Sequence, residues 1–185
     1  MARNFFKDDV LPQLEAASND GDATNEMRTR LIGHSPKIAP KAYVHVVYAP
    51  LPADELLELR ERLGRPIPRV YEEFLACANG LSLFTGSLRV LGYVPLNRRA
   101  STHPHNYPST VIIPNVQARL RGVTHEAVVV GWRQEDNSYF AIERDGTVIR
   151  VGSSPVESWS NFETWLTAMI RLQAAARSTS SERVH

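Results

Sequence analysis

The segment of residues 51–80 constrains the fold most, because it makes two helices meet at a rigid elbow. Leucines recur at helical spacing up to Gly64, and glycine readily adopts the left-handed conformation that ends a helix. Pro66 and Pro68 then prevent the first helix from continuing, because proline lacks a backbone N–H and restricts the residue before it. Pro68 also opens the second helix, which ends at Asn79 and the glycine that follows it. The sequence therefore predicts a helix, an elbow and a second helix.

Outside this helical unit the apolar residues follow the shorter spacing that is typical of strands. Strands are predicted at residues 41–48, 87–94, 127–132, 139–143 and 147–151. The dipeptide Asp145-Gly146 between the last two runs predicts a tight hairpin, because both residues tolerate the positive φ angles of such a turn. A last helix is predicted from Ser160, whose hydroxyl can cap it while Glu163 reaches back. Helices before and after a run of strands indicate an α+β fold.

The composition fits one globular domain, since 43% of the 185 residues are hydrophobic and 22% are charged. A net charge of +1 does not favour a protein that coats nucleic acid or anionic lipid through charge alone. Cys77 is the single cysteine and cannot form an internal disulfide. No apolar run approaches the ~18 residues that span a bilayer, and acidic residues interrupt the start of the chain, where a signal peptide is apolar. We therefore expect a cytoplasmic protein.

Three blocks, in this order, resemble the SUKH superfamily, which includes the fungal cell-wall synthesis regulators and many bacterial immunity proteins. The blocks are LGRPIPRVYEEFLACANG, VVVGWRQEDNSYFAIERDGTVIRV and WSNFETWLTAMI. The resemblance implies a SUKH-like α+β domain over residues 51–172, with a mostly antiparallel central sheet packed by helices before and after it. Residues 1–50 are then an N-terminal extension that we expect to be partly ordered, with a loop at residues 18–26. Residues 173–185 are expected to form a disordered tail.

The residues that carry the resemblance have structural roles that need no ligand. They shape the elbow, close the hairpin turn or supply large aromatic rings to the core or its rim. These motif residues are Gly64, Pro66, Pro68, Tyr71, Asn79, Gly80, Trp132, Asp145, Gly146 and Trp165. We interpret all of them as scaffold.

The sequence contains none of the common motifs for phosphate loops, dinucleotide binding, zinc proteases or serine nucleophiles. The best metal candidate is His103 with His105 and His125, because two imidazoles two residues apart in an extended loop can point the same way. Against a metal stand the absence of a nearby carboxylate in the sequence and the polar loop, in which exposed histidines are ordinary. We expect no catalytic residues, no cofactor and no metal, and a metal-dependent hydrolase that uses these histidines stays an alternative.

A loop of arginines without acids, at residues 95–121, is the best candidate for contact with a partner. Together with the neighbouring hairpin edge it predicts an interface at Arg98, Arg99, His103, His105, Tyr107, Arg133, Glu135 and Asp136. Tyr107 is the one aromatic residue available for stacking on bases, so protein binding ranks above nucleic-acid binding. An alternative surface is the acidic helix face at Glu58, Glu61 and Glu72, which would suit a basic nuclease.

The resemblance implies a non-enzymatic immunity protein that neutralises a cognate toxin, of the nuclease or deaminase class, by direct binding. Direct binding of nucleic acid or of a membrane is not expected. A housekeeping regulatory scaffold like the fungal members stays open, and residues 1–50 would then serve as a docking arm.

Overall fold

One antiparallel sheet flanked by helices forms the fold in the computed structural model, which describes residues 3–98, 103, 105–153 and 155–182. Nine strands of the described chain pair in sequence order, each antiparallel to the next. They are Ala23–Thr24 (β1), Arg30–His34 (β2), Tyr43–Val47 (β3), Leu81–Leu83 (β4), Leu88–Val90 (β5), Val128–Arg133 (β6), Ser138–Ile142 (β7), Val148–Arg150 (β8) and Ser158–Trp159 (β9). This confirms the predicted α+β class.

Helices occur at both ends of the chain and between β3 and β4. They are Leu11–Glu15 (α1), Ala53–Leu63 (α2), Arg69–Leu75 (α3) and Phe162–Glu182 (α4). Short helical turns are Phe6–Val10, Phe84–Gly86, Leu96–Arg98 and Ile113–Gln117. None of the helices in the described part of the chain is long and apolar enough to cross a membrane.

The elbow between α2 and α3 forms as predicted. Gly64 adopts a left-handed conformation with φ of 63°, and its N–H donates to the Arg60 carbonyl at 3.2 Å. Pro68 directly precedes α3. The Arg65 guanidinium, inside the elbow, donates to the carbonyls of His125 and Ala127 at 3.0 and 3.1 Å. The elbow is therefore tied to the segment that enters β6.

The Asp145-Gly146 turn joins β7 to β8 as predicted, and Gly146 has a φ of 91°. The capping prediction for the last helix was wrong by one residue. The side chain of Asn161, not that of Ser160, accepts the N–H of Thr164, at 2.8 Å. Asparagine serves this role as well as serine, so the pattern did not distinguish the two.

The extension and the tail are more regular than the sequence indicates. Strand β1 lies within the predicted loop at residues 18–26, and it pairs with β2. The predicted disordered tail from residue 173 is replaced by α4, which continues through Glu182. Gln173 is buried and donates to Glu135 at 3.3 Å, and the three alanines that follow it favour helix. These features explain why the helix does not stop after its apolar face.

Alternation along the strands gives the sheet two different faces. On the helix face, Leu83, Leu88 and Phe140 are buried, and the Trp165 ring of α4 lies 5.3 Å from that of Phe140. The opposite side is called the groove face here. Registered pairs across β3 to β7 place one row of side chains on it: Val46, Ser82, Arg89, Trp132 and Tyr139.

Candidate partner-binding groove

A groove of about 420 Å³ lies on the groove face, between β3, β4 and β5 and the segment of residues 105–109. Its lining combines tyrosines, small residues and one arginine: Ile38, Ala39, Ala42, Tyr43, Val46, Tyr48, Leu81, Ser82, Thr85, Gly86, Arg89, His105, Tyr107, Pro108 and Ser109. No carboxylate belongs to this described lining. The groove is therefore aromatic and cationic in character.

Arg89 is the charged group of the groove. Its guanidinium carbon lies 5.0 Å from the centre of the Trp132 ring, and Nη1 donates to Ser109 Oγ at 3.1 Å. Its Nε is buried without a hydrogen-bond partner, and no ion pair involves Arg89 among the residues that the structure describes. The contacts with Trp132 and Ser109 hold the guanidinium in place without neutralising it.

Burial in the groove favours the neutral forms of Tyr48 and His105. Burial raises the pKa of Tyr48 to about 12, so its hydroxyl stays protonated. The Tyr43 ring meets the His105 ring edge to face, with centres 5.6 Å apart. Burial lowers the pKa of His105, and the nearby His103 and Lys41 act in the same direction. His105 is therefore biased towards its neutral form.

Part of the predicted interface lines this groove and part does not. His105 and Tyr107 belong to the lining, and the His103 ring lies 5.1 Å from the His105 ring. Arg98 does not belong to the groove lining, and it forms a 2.6 Å ion pair with Glu55. Arg99 lies outside the described residues.

The hairpin residues of the predicted interface point away from the groove. Arg133 follows Trp132 in β6, so the two side chains project from opposite faces of the sheet. Asp136 accepts from Arg133, from Arg150 at 2.8 Å and from the hydroxyl of Ser138 at 2.5 Å. The hydrogen bond from Arg133 contributes most to holding the pKa of Asp136 well below its usual range.

Glu135 accepts a hydrogen bond from Gln173 of α4. The structure thus separates the loop residues His105 and Tyr107 of the predicted interface, which line the groove, from its hairpin residues, which do not. The hairpin residues instead tie the β6–β7 turn to Arg150 and Gln173.

The alternative acidic face is largely engaged in contacts within the chain. Glu58 accepts from the Tyr93 hydroxyl at 2.5 Å, and Glu72 accepts twice from Arg60, at 2.7 and 2.8 Å. Glu61 is exposed. Two of the three carboxylates are therefore already paired with donors.

The histidines of the metal hypothesis are not assembled into a ligand set. His103 and His105 are neighbours, but the His105 backbone N–H points to His103 Nδ1, at 3.3 Å. His125 is exposed and its carbonyl accepts from Arg65. Among the described residues, no three histidine, cysteine or acidic side chains lie together in a way that could hold a metal ion.

Several of the motif residues make contacts within the chain. The Tyr71 hydroxyl donates to the Leu91 carbonyl at 2.6 Å, and the Asn79 side chain pairs with both the N–H and the carbonyl of Tyr93. Gly80 has a φ of 88°, and a Cβ there would lie 2.8 Å from a backbone oxygen. These contacts fix the chain that leaves β5.

Trp132 differs from the other motif residues, because it lies on the groove face beside Arg89. Sequence reasoning did not select Arg89, Tyr43 or Tyr48 as site residues. Their signal is weak, since each is an ordinary residue of a predicted or neighbouring strand, and only the pairing of β3, β4 and β5 brings them to one groove.

The model of the SMI1 / KNR4 family (SUKH-1) matches residues 50–168. The comparison with curated proteins gave no match. The matched segment contains Arg89, Tyr107 and Trp132, whereas β3, which forms one wall of the groove, precedes it.

Proposed function

Because the chain belongs to the SMI1 / KNR4 family (SUKH-1), we propose that it is a non-enzymatic protein-binding module that acts as an immunity protein. In this proposal it neutralises a cognate toxin by covering part of the toxin's surface. The SUKH superfamily includes many bacterial immunity proteins, and this family membership supports the proposal.

The groove is the observation that carries the proposal. Tryptophan, tyrosine and arginine are the residues that contribute most to protein interfaces, and they do so best in preformed concave sites. The groove and its margin present these residue types together: Tyr43, Tyr107, Arg89 and Trp132. We place the interface on this groove and on the adjoining segment of His105 and Tyr107, rather than on the hairpin edge.

The test is co-expression of the full chain with the protein encoded beside its gene, followed by affinity purification and a toxicity assay in the host. We expect co-purification and loss of toxicity. Tyr107→Ala should weaken the complex by about tenfold or more in Kd, because it removes an aromatic side chain from the groove.

The matched control is Arg69→Ala, which removes a side chain that is 91% exposed and does not belong to the groove lining. It should leave capture unchanged. No capture of the neighbouring protein would contradict the immunity function, and equal loss with both variants would contradict the placement of the interface.

A further inference from the structure

We infer that the groove binds a carboxylate side chain from an acidic segment of the partner protein, with Arg89 as the cation that anchors it. This inference rests on the proposed function, because it takes the partner to be a protein. It adds the chemistry of the partner's contact segment and the residue that selects it.

The first support is the charge of the groove. Some arginines elsewhere in the described chain form ion pairs with acids, such as Arg98 with Glu55, and Arg150 with Glu157 and Asp136. Arg89 has no such carboxylate, and none lines the groove among the described residues. Lys41 adds positive charge near the same opening, since it acts on His105. An incoming carboxylate would therefore meet uncompensated positive charge.

The second support is the geometry of the guanidinium. Among the described residues Arg89 makes one hydrogen bond, through Nη1 to Ser109, and the buried Nε has no partner. Its Nη2 lies 3.5 Å from the position that a Cβ on Gly86 would occupy, so Gly86 contributes no side chain that would cover Nη2. The planar fork of arginine suits the two oxygens of a carboxylate. Contact with Trp132 holds it in place before binding.

The third support is the surroundings of Arg89. The half-buried Tyr43 and Tyr107 supply aromatic area for the residues that flank the carboxylate on the partner. A nucleic-acid backbone fits less well, because it needs several cations in line, whereas this groove holds one arginine and the whole chain has a net charge of +1. An acidic protein segment is therefore the ligand class that matches both the charge and the walls.

The experiment selects peptides from a displayed random library on the full-length protein. We expect the selected peptides to share an aspartate or glutamate at one position. Replacing that residue by its amide should weaken Kd by about tenfold, which is the effect of losing one charged hydrogen-bonded pair. Arg89→Gln should weaken the acidic peptide to the same degree and leave the amide peptide unchanged.

Site and folding are followed through the three tryptophan indole N–H signals in the NMR spectrum, of which Trp132 adjoins Arg89. The acidic peptide should shift the Trp132 signal and leave that of the buried Trp165 in place. Arg89→Lys is a second variant that keeps the charge but loses the planar fork, and it should bind with intermediate affinity. The control is Arg144→Gln, whose exposed side chain pairs with Glu126.

The inference would be overturned if no peptide were selected, or if the selected peptides shared no acid. It would also be overturned if Arg89→Gln lost affinity for both peptides equally, or if a thymidine oligonucleotide bound more tightly at Trp132. The proposed function fails separately. A neighbouring protein that is captured equally well by Arg89→Gln would leave the immunity function standing and remove the carboxylate site. Acid-selective peptide binding without capture of the neighbouring protein would support the carboxylate site and contradict the immunity function.

Discussion

The imidazole of His45 is buried in β3, with 3% of the residue exposed. Its ring lies edge to face with that of Phe84, 4.8 Å between centres, and its Nδ1 has no hydrogen-bond partner among the described residues. Burial lowers the pKa of His45 to about 4, and the positive charge of Arg177 on α4 acts in the same direction. The folded protein therefore holds this histidine neutral.

Folding stability should fall on acidification because of His45. The unfolded chain binds a proton at the ordinary histidine pKa of about 6.5, whereas the folded chain does not until about pH 4. Between these values the unfolded state binds more protons, so the free energy of unfolding decreases as the pH falls, by about 3 kcal/mol once both states are protonated. Urea unfolding at pH 7 and pH 4.5 measures most of this loss.

His45→Leu removes the titrating group. It should therefore reduce the difference in the free energy of unfolding between pH 7 and pH 4.5. Exposed His125 supplies the control, since His125→Leu should retain the wild-type difference. An equal loss of unfolding free energy on acidification in wild type and His45→Leu would show that other groups control the acid response.

Between β6 and the turn Ile113–Gln117, one buried side chain, Asn115, secures an irregular part of the sheet. The pairing of β6 with β7 shifts register between Val129 and Gly131. Asn115 compensates there: its amide donates to the carbonyls of Val111 and Val129, both at 2.8 Å, and its oxygen accepts the Val129 N–H at 2.9 Å. It thus satisfies both backbone groups of Val129, next to the register shift.

Asn115→Ala should lower the free energy of unfolding by about 2–3 kcal/mol, because it leaves the buried backbone groups of Val129 unpaired. The midpoint of urea unfolding at pH 7 gives the change. Gln117→Ala, an exposed substitution on the same turn, should change the value by less than about 0.5 kcal/mol. A loss below about 1 kcal/mol for Asn115→Ala would mean that water or a backbone shift satisfies Val129.

Elements with strong local signals could be predicted from the sequence, and elements made by pairing could not. The elbow and the Asp145-Gly146 turn depend on residues that are themselves conformationally restricted or permissive. The three-residue β4 has no such signal, because its strand geometry comes from β3 and β5 on either side. Strand β2 was not predicted either, because Gly33 interrupts its run of apolar residues.

The candidate site follows the same rule. The composition of the loop was enough to select His105 and Tyr107, which line the groove. It was not enough to select Arg89, an alternating polar residue of β5 whose importance depends on which neighbours the sheet supplies. Arg133 could not be separated from the groove until the pleat of β6 assigned it to the other face.

At the scale of the whole molecule, the folded unit is larger than the segment that the family model matches. The match covers residues 50–168, yet β3 pairs with β4 across that boundary, with Val46 opposite Ser82. The Phe6 ring contacts that of Phe74 in α3, 5.5 Å between centres. The first 50 residues therefore contribute to the sheet, to the core and to one wall of the groove.

This construction allows a direct test of the docking-arm alternative. Deletion of residues 1–50 removes β1, β2 and β3, and with them the buried side chains of Phe6 and Val10. It also leaves β4 as an unpaired edge, which invites aggregation. We expect the shortened chain to lose cooperative thermal unfolding, as measured by circular dichroism, and to lose partner capture as a consequence of misfolding.

Phe6→Ala in the full chain separates folding from docking, because it removes one core ring and leaves the sheet intact. It should lower the free energy of unfolding by about 3 kcal/mol and, below its melting temperature, bind the partner as well as wild type does. A docking arm predicts a different result for the deletion: a folded domain that melts as cooperatively as the full chain but captures nothing. That result would assign the first 50 residues to partner binding and contradict their role as part of the sheet.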